Sequence, residues 1–166
     1  MKNRLTIKEY LKLDPQKDKD KIIEFNKAIT EEYPFLIPRN HYTWEPSEKY
    51  DYSCTMLDGV PEGWLIAFGE EFLKELKNEV VREDLLDKFF ILDWKEKFGV
   101  QTIYTSVHSE EIADILFKYE DLSSRVCQNC GKPAEVMTSG WIGYWCKDCL
   151  EEAEYFGKTI PIDECE

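Results

Sequence analysis

Residues 127–149 read CQNCGKPAEVMTSGWIGYWCKDC. Cys127 and Cys130 form one C-x2-C pair, Cys146 and Cys149 form a second, and fifteen residues separate them. Two such pairs at this spacing supply four thiolates to one tetrahedral ion. The first pair continues into Gly131 and Lys132 as a tight knuckle, with glycine giving the positive φ that such a turn takes. Residues 134–145, AEVMTSGWIGYW, alternate as a hairpin that turns at Ser139-Gly140. The second pair leads into LEEAEYF (150–156), which reads as a helix.

A knuckle, a hairpin and a last ligand pair at a helix start resemble the treble-clef zinc finger, in which the helix N-terminus brings partial positive charge to two thiolates. Four protein ligands close the coordination sphere, so the expected ion is a structural Zn2+. Iron is the alternative, because four sulfurs suit it as well. A redox dithiol or a pair of disulfides is the rival reading of the cysteines. Cys54 and Cys165 lie outside the cluster and are expected as free thiols.

Working outward, Thr6 and Glu9 form a capping box that opens a short helix over 7–13. A second helix is expected over 18–33, with Ile22, Phe25, Ile29 and Tyr33 on one face and Pro34 ending it. Residues 34–60 show no period and are rich in aromatics. Pro61 begins a helix to about residue 81, with Leu65, Phe68, Phe72, Leu73, Leu76 and Val80 as its apolar stripe. A short helical turn is expected over 83–88. Strands follow over 89–96 and 100–106, joined through Phe98-Gly99. Ser109 caps the next helix, whose core face is Ile112, Ile115, Leu116, Tyr119 and Leu122. The predicted class is α+β: helices with a small antiparallel sheet in a main domain, 1–125, and a treble-clef-like, four-cysteine zinc-finger tail, 126–166, packed on it or linked to it.

The chain has 166 residues and a net charge of −13. Residues 1–126 hold 18 basic and 26 acidic residues, and residues 127–166 hold 3 and 8, so both parts are acidic. This argues against direct binding to a nucleic acid backbone, which takes a basic footprint. The helix after the last cysteine carries Glu151, Glu152 and Glu154, where a reading helix needs basic or amide side chains. No apolar run approaches the roughly 20 residues of a membrane span. The N-terminus, MKNRLTIKEYLKLD, is too polar for a secretory signal, and a cytoplasmic location is expected.

Candidate chemistry outside the tail is sparse. The two histidines, His41 and His108, sit in no paired ligand spacing, and no glycine-rich phosphate loop or nucleophile motif is present. The aromatic segment 39–52 is more suggestive. Arg39, His41, Tyr42, Trp44, Tyr50 and Tyr52 are candidate contacts for a partner or ligand, since tyrosine and tryptophan give contact area at low entropic cost. Packing of the same rings over the core is the alternative.

Four stretches together resemble a family of small uncharacterised proteins encoded by bacteriophages and prophages. They are LDGVPEGWLIAFGEEF (57–72), DWKEKFG (93–99), KYEDLS (118–123) and the four-cysteine tail with its Gly140-Trp141. The resemblance spans about residues 40–150 and implies a phage setting and a bacterial cytoplasm. It supplies no catalytic residues. The leading functional expectation is therefore a non-enzymatic, zinc-stabilised, acidic protein that binds a host or phage protein, for instance as an inhibitor of a defence or replication component. Alternatives are a small-molecule or nucleotide-binding protein or enzyme built on segment 39–52, and a DNA mimic with carboxylates in phosphate-like rows.

Overall fold

The computed structural model describes residues 3–164. Thr6 caps α1 (Ile7–Tyr10) through the expected capping box, donating its backbone N–H to Glu9 and accepting that of Glu9 on its hydroxyl. The helix is shorter than the sequence suggests. Arg4 anchors this end of the chain: its guanidinium forks onto Glu70 at 2.7 and 2.9 Å and reaches Glu32 at 2.7 Å. Glu70 also accepts the Ile7 backbone N–H at 2.8 Å, so one carboxylate holds both the cation and a helix start.

α2 (Lys19–Glu32) buries Phe25 and Ile29, and a 3-10 turn, Pro34–Leu36, follows it. The next helical run starts after Pro61 with α3 (Glu62–Trp64), passes through a π-helical turn (Leu65–Gly69) and continues as α4 (Glu70–Arg82). All six residues of the expected stripe are buried. The expected helical turn over 83–88 is instead an irregular turn. Asp84 takes a left-handed conformation, φ 57°, and the Leu85 N–H closes back onto the Val80 carbonyl at 2.9 Å, which ends α4.

β1 (Ile91–Lys97) and β2 (Val100–Thr105) form an antiparallel hairpin with Lys97 opposite Val100. Phe98 and Gly99, both at positive φ, make its two-residue turn. Trp94 on its inner face is edge-on to Phe72 at 5.2 Å and donates its indole N–H to Gln101 at 3.0 Å. α5 (Glu110–Ser123), capped by Ser109 as expected, packs on β2 and α4. Tyr119 packs edge-on against Phe72 at 4.9 Å and donates its hydroxyl to Glu75 at 2.6 Å. At the end of α5 the buried Ser123 accepts the Gln101 backbone N–H at 2.8 Å, which ties the helix to the hairpin. One continuous apolar cluster joins α1, α2, α3, α4, β1 and α5.

The tail adds β3 (Val136–Thr138), β4 (Tyr144–Trp145), α6 (Lys147–Glu152) and β5 (Thr159–Pro161). Its sheet runs β4-β3-β5, all antiparallel. The fold is α+β, as read from the sequence, with β5 the one strand that the pattern did not reveal. Among the described residues no helix is long and apolar enough to cross a membrane.

Replacing Ser123 by alanine leaves the buried Gln101 N–H without a partner. The expected loss is about 1–3 kcal/mol in urea unfolding. Ser124→Ala, which removes only a local hydroxyl bond to the Asp121 carbonyl, serves as the comparison and is expected to lose less than about 1 kcal/mol.

Candidate metal centre

Each sulfur is placed by local backbone chemistry. The bridge between Val126 and Pro133 closes the knuckle, the Cys127 N–H donates to the Lys132 carbonyl at 2.7 Å, and the Gly131 N–H donates to the Cys127 carbonyl at 2.9 Å. On the other side, Cys146 is the residue before α6 and Cys149 lies in its first turn. The Glu135 carboxylate accepts the Lys147 N–H at 2.8 Å, so an acid from the hairpin caps this helix.

The four sulfurs of Cys127, Cys130, Cys146 and Cys149 lie 3.4–3.8 Å from one another. Bonds of about 2.3 Å to a central tetrahedral ion require sulfur separations near 3.8 Å. A disulfide would bring a pair to about 2.05 Å, so none of the four sulfurs is paired in a disulfide here. Cys127, Cys146 and Cys149 are buried, and Trp145 packs beside them. The donor set therefore fits one thiophilic ion held entirely by protein sulfur.

The surrounding charges agree with this geometry. Burial alone would push the Cys127 thiol up, but backbone N–H groups of Cys146, Cys130 and Asn129 aimed at its sulfur outweigh that and hold it below the ordinary range. Cys146 is pushed up by its burial. The Asn129 amide donates to the Cys149 sulfur at 3.3 Å and lowers that thiol, yet burial and the three neighbouring sulfurs push it up to about 12. Four thiolates this close repel one another unless a cation sits among them.

The centre is docked on the body by direct backbone contact. The Gly63 N–H donates to the Gln128 carbonyl at 2.9 Å, which gives the first turn of α3 an acceptor from the knuckle. A Cβ on Gly63 would lie 2.1 Å from the Cys127 carbonyl oxygen, and one on Gly131 would lie 2.7 Å from the Gly63 carbonyl oxygen. Only two facing glycines allow this approach. Beside them, the turn at Gly99 abuts Tyr144 and Ile142 of the tail hairpin. The tail is thus packed on the body, with the metal knuckle seated on the Pro61-Glu62-Gly63-Trp64 helix start. The sequence presented these residues only as a motif. Their role in docking, and those of Asn129 and Glu135, depend on contacts made across the chain.

Segment 39–52 divides in two. Residues 39–46 form a closed loop: Arg39 donates to the Trp44 carbonyl at 2.8 Å and stacks on Phe90 at 3.6 Å, while the Asn40 side chain accepts the Tyr42 and Thr43 N–H groups. His41 and Tyr42 stand at its exposed tip, and Trp44 is half exposed. A cavity of about 610 Å3 beside the loop is lined in part by Arg39, Asn40, Thr43 and Glu45; of the six candidate contacts only Arg39 lines it. Tyr50 and Tyr52 instead pack together at 4.7 Å, and the Tyr52 carbonyl accepts the side-chain amide of the buried Asn26 on α2 at 2.8 Å. Cys54 is an exposed free thiol. Cys165 lies outside the described residues.

Compared with known protein families, with characterised proteins and with solved structures, the chain matches none.

Metal removal by a strong chelator, or Cys146→Ser, is expected to open residues 127–157 to protease while the separate core of the body keeps its helical signal; ligation of this type contributes roughly 10–16 kcal/mol. Gly63→Ala is expected to lower stability by about 1–3 kcal/mol through overpacking and to raise tail proteolysis. Gly59→Ala, where the nearest atom is 3.5 Å away, is the matched substitution expected to do neither.

Proposed function

We propose that this chain is a non-enzymatic, zinc-stabilised protein of phage type that works by binding a host or phage protein. The observation that carries the reading is the closed ligand set. Four protein sulfurs would fill the four tetrahedral positions of a bound ion, leaving it no site for a water or substrate and giving it an architectural role. Zinc suits a purely structural role because it has no redox chemistry of its own.

A protein partner is favoured by charge and by shape. The net −13 disfavours a phosphate backbone, and the closed 39–46 loop holds Tyr42 95% exposed on a hydrogen-bonded frame. Pre-ordered loops lose little entropy on association. The bacterial cytoplasm is the proposed setting, where reduced cysteines persist. Inhibition of a defence or replication component follows by analogy with small acidic phage proteins.

The test is crosslinked affinity capture of the metal-loaded chain in a bacterial host. The expected result is one partner in equimolar amount, with capture reduced about tenfold by Tyr42→Ala and Trp44→Ala at unchanged melting temperature. Absence of any equimolar partner contradicts the proposal.

A further inference from the structure

One end of the tail sheet carries exposed aromatics. β5 pairs with β3 as far as Thr138 opposite Thr159, and the Ser139 N–H donates to the Lys158 carbonyl at 3.1 Å just beyond. Tyr155 closes this end, its hydroxyl donating to the Lys158 carbonyl at 3.1 Å and lying 3.4 Å from that of Ser139. Trp141 comes two residues after Ser139, and Phe156 two residues before Lys158, so the three aromatics share one end of the sheet. Trp141 is 84% exposed and Phe156 93%. Bare aromatics of this size leave a large favourable burial unused, and such side chains dominate contact energies where proteins meet.

Exposed carboxylates precede Tyr155 and Phe156 in the chain. Asp148, Glu151 and Glu152 on α6, and Glu154 directly after it, are all exposed. Among the described residues none of the four makes an ion pair. Glu154 takes a left-handed conformation, and the Tyr155 N–H donates back to the Leu150 carbonyl at 3.1 Å. That turn ends the helix, and the chain runs directly from Glu154 into Tyr155 and Phe156.

We infer that this face docks an arginine-rich segment of a protein partner. Guanidinium groups stack on aromatic faces and pair with carboxylates, so one side-chain type satisfies both halves of the surface. Residues 127–166 hold 3 basic and 8 acidic residues, a balance that repels phosphates and anionic lipid headgroups and leaves a cationic polypeptide as the complementary occupant. The inference rests on the protein-binding reading above and adds a second surface with a stated partner chemistry.

The experiment is fluorescence anisotropy of the metal-loaded full chain with a labelled peptide alternating arginine and glycine, and with its glutamate counterpart. Saturable binding of the arginine peptide alone is expected. Trp141→Ala with Phe156→Ala, and separately Glu151→Gln with Glu152→Gln and Glu154→Gln, are each expected to weaken it roughly tenfold at unchanged melting temperature. Added salt is expected to weaken the wild-type complex more than that of the glutamine variant. No binding of the arginine peptide up to about 1 mM, or equal affinity for all variants, overturns the inference. A chain that ignores the peptide yet captures an equimolar partner dependent on Tyr42 and Trp44 overturns this surface alone and leaves the protein-binding reading standing.

Discussion

Thiolates held 3.4–3.8 Å apart repel one another, and burial raises the cost of their charge. A cation at their centre would convert that repulsion into a strong local constraint. The knuckle, the hairpin and α6 are short, and the apolar cluster around the cysteines is small. Elements of this size do not hold together by burial alone. An ion bound by the four sulfurs would fix the knuckle against α6, and the knuckle presents its backbone to Gly63.

That contact links the tail to the rest of the fold. The close approach of Gly63 and Gly131 puts the first turn of α3 directly under the metal loop, next to the fully buried Trp64. The hairpin turn at Phe98-Gly99 meets the tail from the side, and Ser123 locks α5 to the same hairpin. The seat of the tail, its side contact and the bonds behind them come from three short stretches of the body. Pro61-Glu62-Gly63-Trp64 is the seat, Lys97-Phe98-Gly99 the side contact, and Tyr119 and Ser123 the brace behind it.

Features set by local spacing were legible in the sequence. The two C-x2-C pairs, the Thr6 and Ser109 caps, the apolar stripe from Leu65 to Val80 and the Phe98-Gly99 turn all depend on near neighbours. Features set by distant contacts were not. β5 exists because its three residues pair with β3 more than twenty positions earlier, and Pro161 at an edge obscures a strand pattern. The turn over 83–88 has helical composition but is diverted by Asp84 at positive φ. The aromatic segment was ambiguous because tyrosines serve packing and contact equally well in sequence; the bond from Asn26 ties the Tyr52 backbone to α2, while Tyr42 is almost fully exposed.

The chain carries a net charge of −13, and its four clustered cysteines offer one ion a closed sulfur site. X-ray absorption at the metal edge of the gently purified chain tests the foundation of this account most directly. One zinc per chain with four sulfur neighbours at about 2.3 Å is the predicted result. A chain that is folded, protease-resistant and free of metal, or a spectrum with oxygen or nitrogen among the ion's nearest neighbours, contradicts it.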